Sequence, residues 1–165
     1  MTDSAQLTMT GMLRVLRGVW RGAGVAEYPT IPNFEYEEEI TFAANDTQPY
    51  VHYEQRTRKK LESGEWAPSH WESGFWRALA TNEIEIANAQ GGGRVEVLRG
   101  MLTPTTDGWN AHLGSVEVRN DPRVVHTTRD IEISGDNMRS TMQMRLATVP
   151  GLRLHLTATL TRARE

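Results

Sequence analysis

Residues 18–24 read Gly-Val-Trp-Arg-Gly-Ala-Gly, and residues 27–31 follow with Glu-Tyr-Pro-Thr-Ile. Glycine lets one strand approach another more closely than a Cβ atom allows. A tryptophan among such glycines can fill one end of a core with a large ring whose N–H still needs a hydrogen-bond partner. The stretch therefore predicts the first strand of a closed β structure, and it assigns structural roles to four residues: Gly18, Trp20, Gly22 and Gly24.

The composition predicts one domain spanning residues 1–165. A chain of 165 residues can bury a substantial core but is short for two domains. Its hydrophobic content of 38%, with 14 glycines and 24% charged residues, suits a barrel that encloses a cavity. A formal charge of −3 gives no electrostatic basis for binding nucleic acid or an anionic membrane. The absence of cysteine excludes disulfides, thiolate metal sites and cysteine nucleophiles.

The N-terminal segment lacks the features of a secretion signal. Asp3 lies where a basic region would be expected, and Arg14 and Arg17 interrupt the apolar residues that follow Met9. No run approaches the ~20 apolar residues of a membrane span. We therefore expect a soluble protein that is not exported, and the lack of cysteine fits a cytoplasmic location.

Hydrophobic periodicity predicts one short helix followed only by strands. The first stretch has a helical period and predicts a helix of one or two turns that caps one end of the fold. Its apolar residues are Leu7, Met12, Leu13, Val15 and Leu16. Beyond Gly18 the period becomes two, and turn residues separate the segments. The predicted strands span 19–27, 35–43, 49–60, 69–79, 83–89, 94–101, 111–118, 125–133, 138–146 and 153–163. The pattern predicts an antiparallel barrel or sandwich and does not choose between them.

Further motifs follow the opening stretch in a fixed order. They are Phe-x-Tyr-x-Glu-Glu-Ile-x-Phe at 34–42, Tyr-Glu-Gln-Arg-Thr at 53–57, His-Trp-Glu-Ser-Gly-Phe at 70–75, Ala-Gln at 89–90 with Val-Glu-Val at 95–97, and His-Leu-Thr-Ala-Thr-Leu at 155–160. In this order they resemble the nitrobindin family of haem-binding β-barrels, a domain type also found at the C-terminus of THAP-domain proteins. The resemblance runs from about Leu13 to Arg162, nearly the whole chain.

The resemblance implies both a fold and a function. The fold is all-β, a ten-stranded antiparallel closed barrel like those of lipocalins and fatty-acid-binding proteins, with a short N-terminal helix. The function is that of a haem b protein, with one haem per chain, that binds nitric oxide and isomerises peroxynitrite to nitrate at ferric iron. The resemblance also allows the protein to be a homodimer. Two alternatives remain: a haem-free carrier of a lipid or other hydrophobic small molecule, and a filled barrel with a structural or interaction role.

The resemblance makes His155 the proximal ligand of the haem iron, held there as a neutral imidazole. Strand alternation alone points the other way, because it would aim Leu154 and Leu156 inward and leave His155 in solvent. A barrel with a ligand cavity can instead turn a mixed face inward. Methionine and tyrosine remain formal alternatives as ligands, whereas thiolate ligation is excluded.

Five other residues match pocket positions of the family: Thr30, Phe42, His70, Gln90 and Met144. Thr30 would offer a hydroxyl to a porphyrin edge or propionate, and its alternative is an ordinary turn threonine. His70 is a distal-side polar group, with a second iron ligand as the less favoured interpretation. Phe42, Gln90 and Met144 would line the cavity, although each can equally be barrel core.

The sequence departs from the family pattern in two places. Gly151 replaces a proline on the approach to the proximal strand, and Arg153 comes close to the ligand, where haem propionates could use it. At 125–129 the chain reads Val-His-Thr-Thr-Arg, so a lysine contact of the family does not transfer.

Other polar residues have simpler interpretations. His52, His112 and His126 lack metal-ligand spacing and have no cysteine partners, so no zinc site is expected. In the three glutamates at 37–39, adjacent side chains point to opposite faces of a strand, so only the first and third share a face. A solvated outer face is favoured over an acid–base pair for this run.

Overall fold

The computed structural model describes residues 4–79 and 81–164, and residues 4–8 by their backbone alone, so the predicted role of the Leu7 side chain lies outside the described part. Residues 1–3, 80 and 165 of the predicted domain also lie outside the described residues. The elements in chain order are α1 (Ser4–Arg14), β1 (Gly18–Tyr28), β2 (Ile31–Ala43), β3 (Tyr50–Lys60), β4 (Trp66–Ala78), β5 (Glu83–Gln90), β6 (Val95–Pro104), β7 (Gly108–Arg119), β8 (Val124–Ser134), β9 (Asn137–Leu146) and β10 (Val149–Arg162).

The ten strands found in the described residues form one closed antiparallel barrel. Each strand pairs with its neighbours in sequence, and β1 closes the ring by pairing with β10. Closure gives each of these strands a hydrogen-bonded neighbour on both sides, which removes the need for a second sheet. The predicted ten-stranded barrel is confirmed, and the sandwich is excluded. No helix among the described residues is long and apolar enough to cross a membrane.

The glycines of β1 allow the strand to lie close to its neighbours. A Cβ atom on Gly22 would stand 1.9 Å from the Thr159 carbonyl oxygen of β10, and one on Gly24 would stand 2.3 Å from that of Thr157. Gly18 has φ +117°, which side chains rarely permit. Trp20 is fully buried, and its indole N–H donates to the Leu16 carbonyl at 2.7 Å.

The helix is longer than its sequence period predicts. It has 11 residues rather than one or two turns, because packing against the barrel stabilises a segment whose own periodicity is weak. Met9, Leu13 and Leu16 are buried in the main core cluster, and the indole N–H of Trp109 donates to the Met12 carbonyl at 3.0 Å. Val15, assigned to the apolar face, is 42% exposed. The core therefore fills the helix end of the barrel.

Four strands begin three or four residues earlier than predicted, among them β2 at Ile31 rather than 35 and β7 at Gly108 rather than 111. Strand β4 starts at Trp66 rather than 69, and β10 starts at Val149 rather than 153. Pro150 and Gly151 are residues typical of a turn, which favours a later start of β10. Gly151 takes φ +76° and the register shifts there, so the strand continues through a local irregularity instead of ending.

Candidate functional site

A cavity of about 250 Å³ lies inside the barrel, toward the end opposite the helix core. Its walls come mainly from β2, β3, β4, β8, β9 and β10. One part of the lining is apolar and includes Phe34, Ile40, Phe42, Ile131, Met142 and Leu156. Another part is ionisable and includes Glu38, His70, Glu72, Arg94, Arg129 and His155. A ligand here would meet hydrocarbon walls and a built-in set of charges.

His155 reaches the cavity through a bulge in β10. Leu154 pairs with Gln143 and Leu156 pairs with Met142, which leaves His155 as an extra residue between two consecutive pairs. The extra residue changes the phase of the strand, so that His155 and Leu156 both line the cavity. Leu154, which simple alternation would bury, is 36% exposed. The expectation from alternation is therefore wrong at Leu154 and His155 and correct at Leu156.

The surroundings of His155 keep its imidazole neutral. Burial lowers the pKa of His155, and the positive charges of Arg94 and His70 lower it further, while a backbone hydrogen bond with Glu27 opposes the shift. Nδ1 lies 3.3 Å from the Glu27 carbonyl oxygen, to which it can only donate. The Tyr28 ring packs edge-on at 5.6 Å. Nε2, without a hydrogen-bond partner in the described part of the chain, therefore carries a free lone pair.

Glu72 is the centre of a buried hydrogen-bond network. Its Oε1 accepts from the Tyr53 hydroxyl at 2.6 Å and from Arg129 Nη1 at 2.7 Å, and its Oε2 lies 2.9 Å from His70 Nε2. Burial raises the pKa of Glu72. The charge of Arg129 and the hydrogen bonds from His70 and Arg129 lower it by more, so the net pKa lies well below the ordinary range. An ionised carboxylate only accepts, so Nε2 of His70 carries the proton.

The network continues to a second buried carboxylate. Glu96 accepts from Arg129 Nη2 at 3.3 Å, from the Thr127 hydroxyl at 3.2 Å and from Gln90 Nε2 at 3.2 Å. Arg94 forms an ion pair with Glu96 at 3.4 Å. Arg129 thus lies between two carboxylates, and their negative charges offset the cost of burying its positive charge.

Glu38 faces the cavity and lies apart from these ion pairs. Its Oε1 accepts from Gln55 Nε2 at 2.6 Å. Burial and the negative charge of Glu72 raise the pKa of Glu38 to about 7, although Arg129 partly opposes the rise. Glu37 and Glu39 lie on the outer face and pair with Arg58 and Arg21. The interpretation of 37–39 as a solvated run is correct for those two residues and wrong for Glu38, because alternation turns the middle side chain inward.

The structure brings only some of the predicted site residues together. Phe42, His70 and His155 line the cavity. Thr30 is exposed beyond the end of β1, and Arg153 is exposed on β10.

Gln90 and Met144 do not line the cavity. Gln90 is held against the buried carboxylate of Glu96. Met144 packs in a separate cluster with Tyr28, Val124 and Val149, and its carbonyl accepts from the Tyr28 hydroxyl at 3.2 Å. The inward face of a long strand extends past the cavity, so sharing that face does not guarantee contact with it.

Several cavity residues were missed, above all Glu38, Glu72 and Arg129. Alternation could have located the first two, because Glu38 shares a face with Tyr36 and Ile40, while Glu72 lies two residues from His70 on β4. Arg129 was noted only as a departure from the family pattern. No local signal pairs it with Glu72, which is 57 residues away.

The donor set of the cavity fits a haem. A neutral imidazole with its Nδ1 against a backbone carbonyl and its Nε2 free is the arrangement of an axial histidine. Apolar side chains such as Phe42, Ile131 and Leu156 supply a surface suited to a porphyrin.

Known proteins of similar sequence and structure cover almost the whole chain. A peroxynitrite isomerase Rv2717c of Arabidopsis thaliana is 41% identical over 90% of this chain and 85% of its own length. A peroxynitrite isomerase of Nocardia farcinica is 33% identical over 91% of this chain and 88% of its own length. The crystal structure of Rv2717c from M. tuberculosis superposes with a TM-score of 0.84 at 31% identity, covering 98% of this chain and 99% of that one.

A more distant structure shares the fold alone. The S-type phycobiliprotein lyase CPES of Guillardia theta has a TM-score of 0.65 at 10% identity, covering 100% of this chain and 99% of that one. The family model described as "THAP4-like, heme-binding beta-barrel domain" matches residues 9–162. With the barrel, the inward-facing histidine and these matches in agreement, the chain belongs to the family of THAP4-like, haem-binding β-barrel domains.

Proposed function

We propose that this protein is a haem-binding peroxynitrite isomerase in which Nε2 of His155 holds the iron. The observation that carries the proposal is the neutral imidazole of His155, which a strand bulge turns into an apolar-walled cavity with Nε2 free. Relatives named peroxynitrite isomerase, at 33–41% identity over most of the chain, support the reaction.

The residues of the cavity would have different roles in binding the haem. His155 would hold the haem, and the Glu27 carbonyl would keep the imidazole in one orientation. When bound, the haem would supply the ferric centre at which peroxynitrite rearranges to nitrate. His70 commits its Nε2 proton to Glu72, which keeps that nitrogen from serving as a second ligand.

The proposal extends to the finer properties of the protein. The proposed haem is of type b, as the resemblance to the family implies, and a chain without cysteine cannot form the thioether links of a c-type haem. One cavity with one free imidazole nitrogen supports one haem per 1–165 domain, with nitric oxide as a second ligand. Thr30 and Arg153 are proposed contacts for the haem edge and propionates, and the absence of cysteine supports a cytoplasmic location.

We also propose that the protein is a homodimer and that it is not a lipid carrier. The exposed side chains of Leu152 and Leu154 on β10 support a homodimer. A lipid carrier finds less support, because an apolar tail in this cavity would lie against the carboxyl of Glu38 and the guanidinium of Arg129.

Reconstitution with ferric haem tests the proposal. Wild-type protein should bind haem in a one-to-one ratio with a Soret band and should accelerate peroxynitrite decay toward nitrate in stopped-flow measurements. His155→Ala should lose most of the haem affinity and the acceleration. His112→Ala is the matched control, since His112 is exposed and pairs with Asp130 on the outer wall.

Two outcomes would contradict the proposal. If His155→Ala keeps the wild-type Soret position and stoichiometry, another residue is the ligand. If ferric and haem-free protein give equal rates of peroxynitrite decay, the protein is not an isomerase.

A further inference from the structure

The cavity holds two carboxyl groups in opposite settings. Glu72 accepts from Arg129, His70 and Tyr53. Glu38 is only 6% exposed and, in the described ranges, has Gln55 as its hydrogen-bond partner and no cation within ion-pair distance. A buried carboxyl without a cation is least costly when it keeps its proton. The pair follows the rule by which two carboxyls in different environments take different protonation states.

Titratable groups on several strands line the same cavity as Glu38. Its own strand supplies Tyr36, β3 supplies Tyr53, and β4 supplies His70 and Glu72. The far walls supply Arg94, Arg129 and His155. Burial is the largest cause of the raised pKa of Glu38. The negative charge of Glu72 raises this pKa as well, whereas the positive charge of Arg129 lowers it.

Several N–H donors of the cavity are already committed, although Nε of Arg129 and Nε1 of Trp76 are buried without a hydrogen-bond partner in the described residues. The Nε2 proton of His70 and both Nη groups of Arg129 point to carboxylates, and the amide of Gln55 points to Glu38 itself. The proton of a neutral Glu38 has no acceptor in the part of the chain that the structure describes. A small anion that enters the cavity therefore finds an uncommitted donor at this position.

We propose that Glu38 is the anion-recognition residue of the cavity, binding a small oxyanion of nitrogen by donating its carboxyl O–H to an anion oxygen. The inference deepens the proposed function and rests on it only for the kind of anion. Ionised Glu38 would repel the same anion, so binding of the anion and protonation of Glu38 are linked. No bond is broken, and the proton stays on Glu38 while the anion is bound.

Nitrate, tested on the haem-free protein, probes this linkage without relying on catalysis. The Glu38 carboxyl resonance would be followed by ¹³C NMR against pH in protein labelled at its glutamate side chains and assigned with Glu38→Gln. The midpoint should lie near neutral pH. It should rise by about one pH unit when nitrate is present at ten times its dissociation constant, since the anion binds only the protonated form. Both titrations would be run at the same ionic strength, set with gluconate in the nitrate-free sample.

Azide binding to the haem-loaded protein gives a second readout. Wild-type affinity, measured from the Soret band, should fall about tenfold between slightly acid and slightly alkaline pH, as the proton on Glu38 is lost. Glu38→Gln should remove most of this dependence. Glu37→Gln should leave it unchanged, because Glu37 lies on the outer face against Arg58.

The two proposals fail in different ways. A Glu38 midpoint in the ordinary glutamate range, or a midpoint that nitrate does not move, would overturn the role of Glu38 even in a working isomerase. An unchanged azide profile in Glu38→Gln would do the same. A protein that takes up no haem, yet shows the nitrate-dependent Glu38 titration, would overturn the isomerase proposal and support anion recognition.

Discussion

At the scale of single residues, hydrogen bonds give the two cavity histidines different roles. His155 uses Nδ1 on the Glu27 carbonyl and keeps Nε2 free. His70 uses Nε2 on Glu72, a carboxylate that Arg129 and Tyr53 also hold. The same side-chain type is thus available for ligation in one place and engaged in the other. A neighbouring acceptor, rather than the histidine itself, makes the difference.

Replacing His70 tests this division. In ferric haem-loaded protein, His70→Leu should leave the resting Soret position unchanged, because Nε2 is committed to Glu72 and does not bind iron. Loss of one hydrogen bond to a buried carboxylate should lower the unfolding free energy by about 1–3 kcal/mol. Absorption spectra and urea denaturation measure the two effects. A Soret shift together with faster peroxynitrite decay would instead identify His70 as a second, blocking ligand.

At the scale of elements, the contact between β1 and β10 closes the barrel. Gly22 pairs with Leu160 in this ladder, and its missing side chain leaves room for the Thr159 carbonyl oxygen. Strand β10 also carries the bulge at His155, so one strand both closes the ring and presents the candidate ligand. A change in how β10 docks on β1 would therefore reach the site.

Gly22→Val tests the close approach. A Cβ atom 1.9 Å from a backbone oxygen forces the strands apart, so we expect a loss of about 1–3 kcal/mol or more in unfolding free energy. Gly92→Val is the matched control, because a Cβ on Gly92 meets nothing within 4 Å. Thermal melts of the haem-free proteins would compare the two. Equal melting of Gly22→Val and wild type would show that Gly22 has no steric role.

At the scale of the whole molecule, the barrel separates an apolar core from an ionised interior. The helix end is filled by large apolar side chains such as Trp20 and Trp109. The other half buries Glu38, Glu72 and Glu96 with the guanidinium of Arg129 among them. Removing one member of such a set leaves an uncompensated buried charge. Stability of the whole barrel is therefore coupled to pH.

The direction of this coupling differs for Glu38 and Glu72. Folding raises the pKa of Glu38 from 4.5 to about 7, so its contribution to stability is present at low pH and is lost as the pH rises across that window. Folding lowers the pKa of Glu72, so its contribution is present above the ordinary glutamate range and is lost as the solution becomes strongly acidic. Stability should therefore decline on both sides of mildly acidic pH.

Urea denaturation of haem-free protein between about pH 5 and pH 8 checks the alkaline side. Unfolding free energy should fall by roughly 3 kcal/mol across this range in the wild type because of Glu38. Glu38→Gln should flatten the profile and be the more stable protein at the alkaline end. Parallel profiles for the two proteins would contradict the assignment of a raised pKa to Glu38.

Much of the fold follows from local features of the sequence. The alternation of polar and apolar residues, the turn residues and the glycines around Trp20 are properties of short segments, so they predict ten strands and a close β1 contact. The starts of β2, β4, β7 and β10 lie three or four residues before the predicted ones, and in β4 and β10 pairing with neighbours carries the strands through Pro68 and Gly151. Resemblance to a family, rather than pattern, chose the barrel over the sandwich.

Only the closed barrel decides which side chains meet. The inward turn of His155 depends on one extra residue in the pairing of β10 with β9, which the leucine alternation conceals. The contact of Glu72 with Arg129 joins residues 57 positions apart across the interior. The raised pKa of Glu38 depends in turn on burial and on Glu72. Strand pattern is local and can be read along the chain, whereas protonation and ligand geometry depend on neighbours that only ring closure supplies.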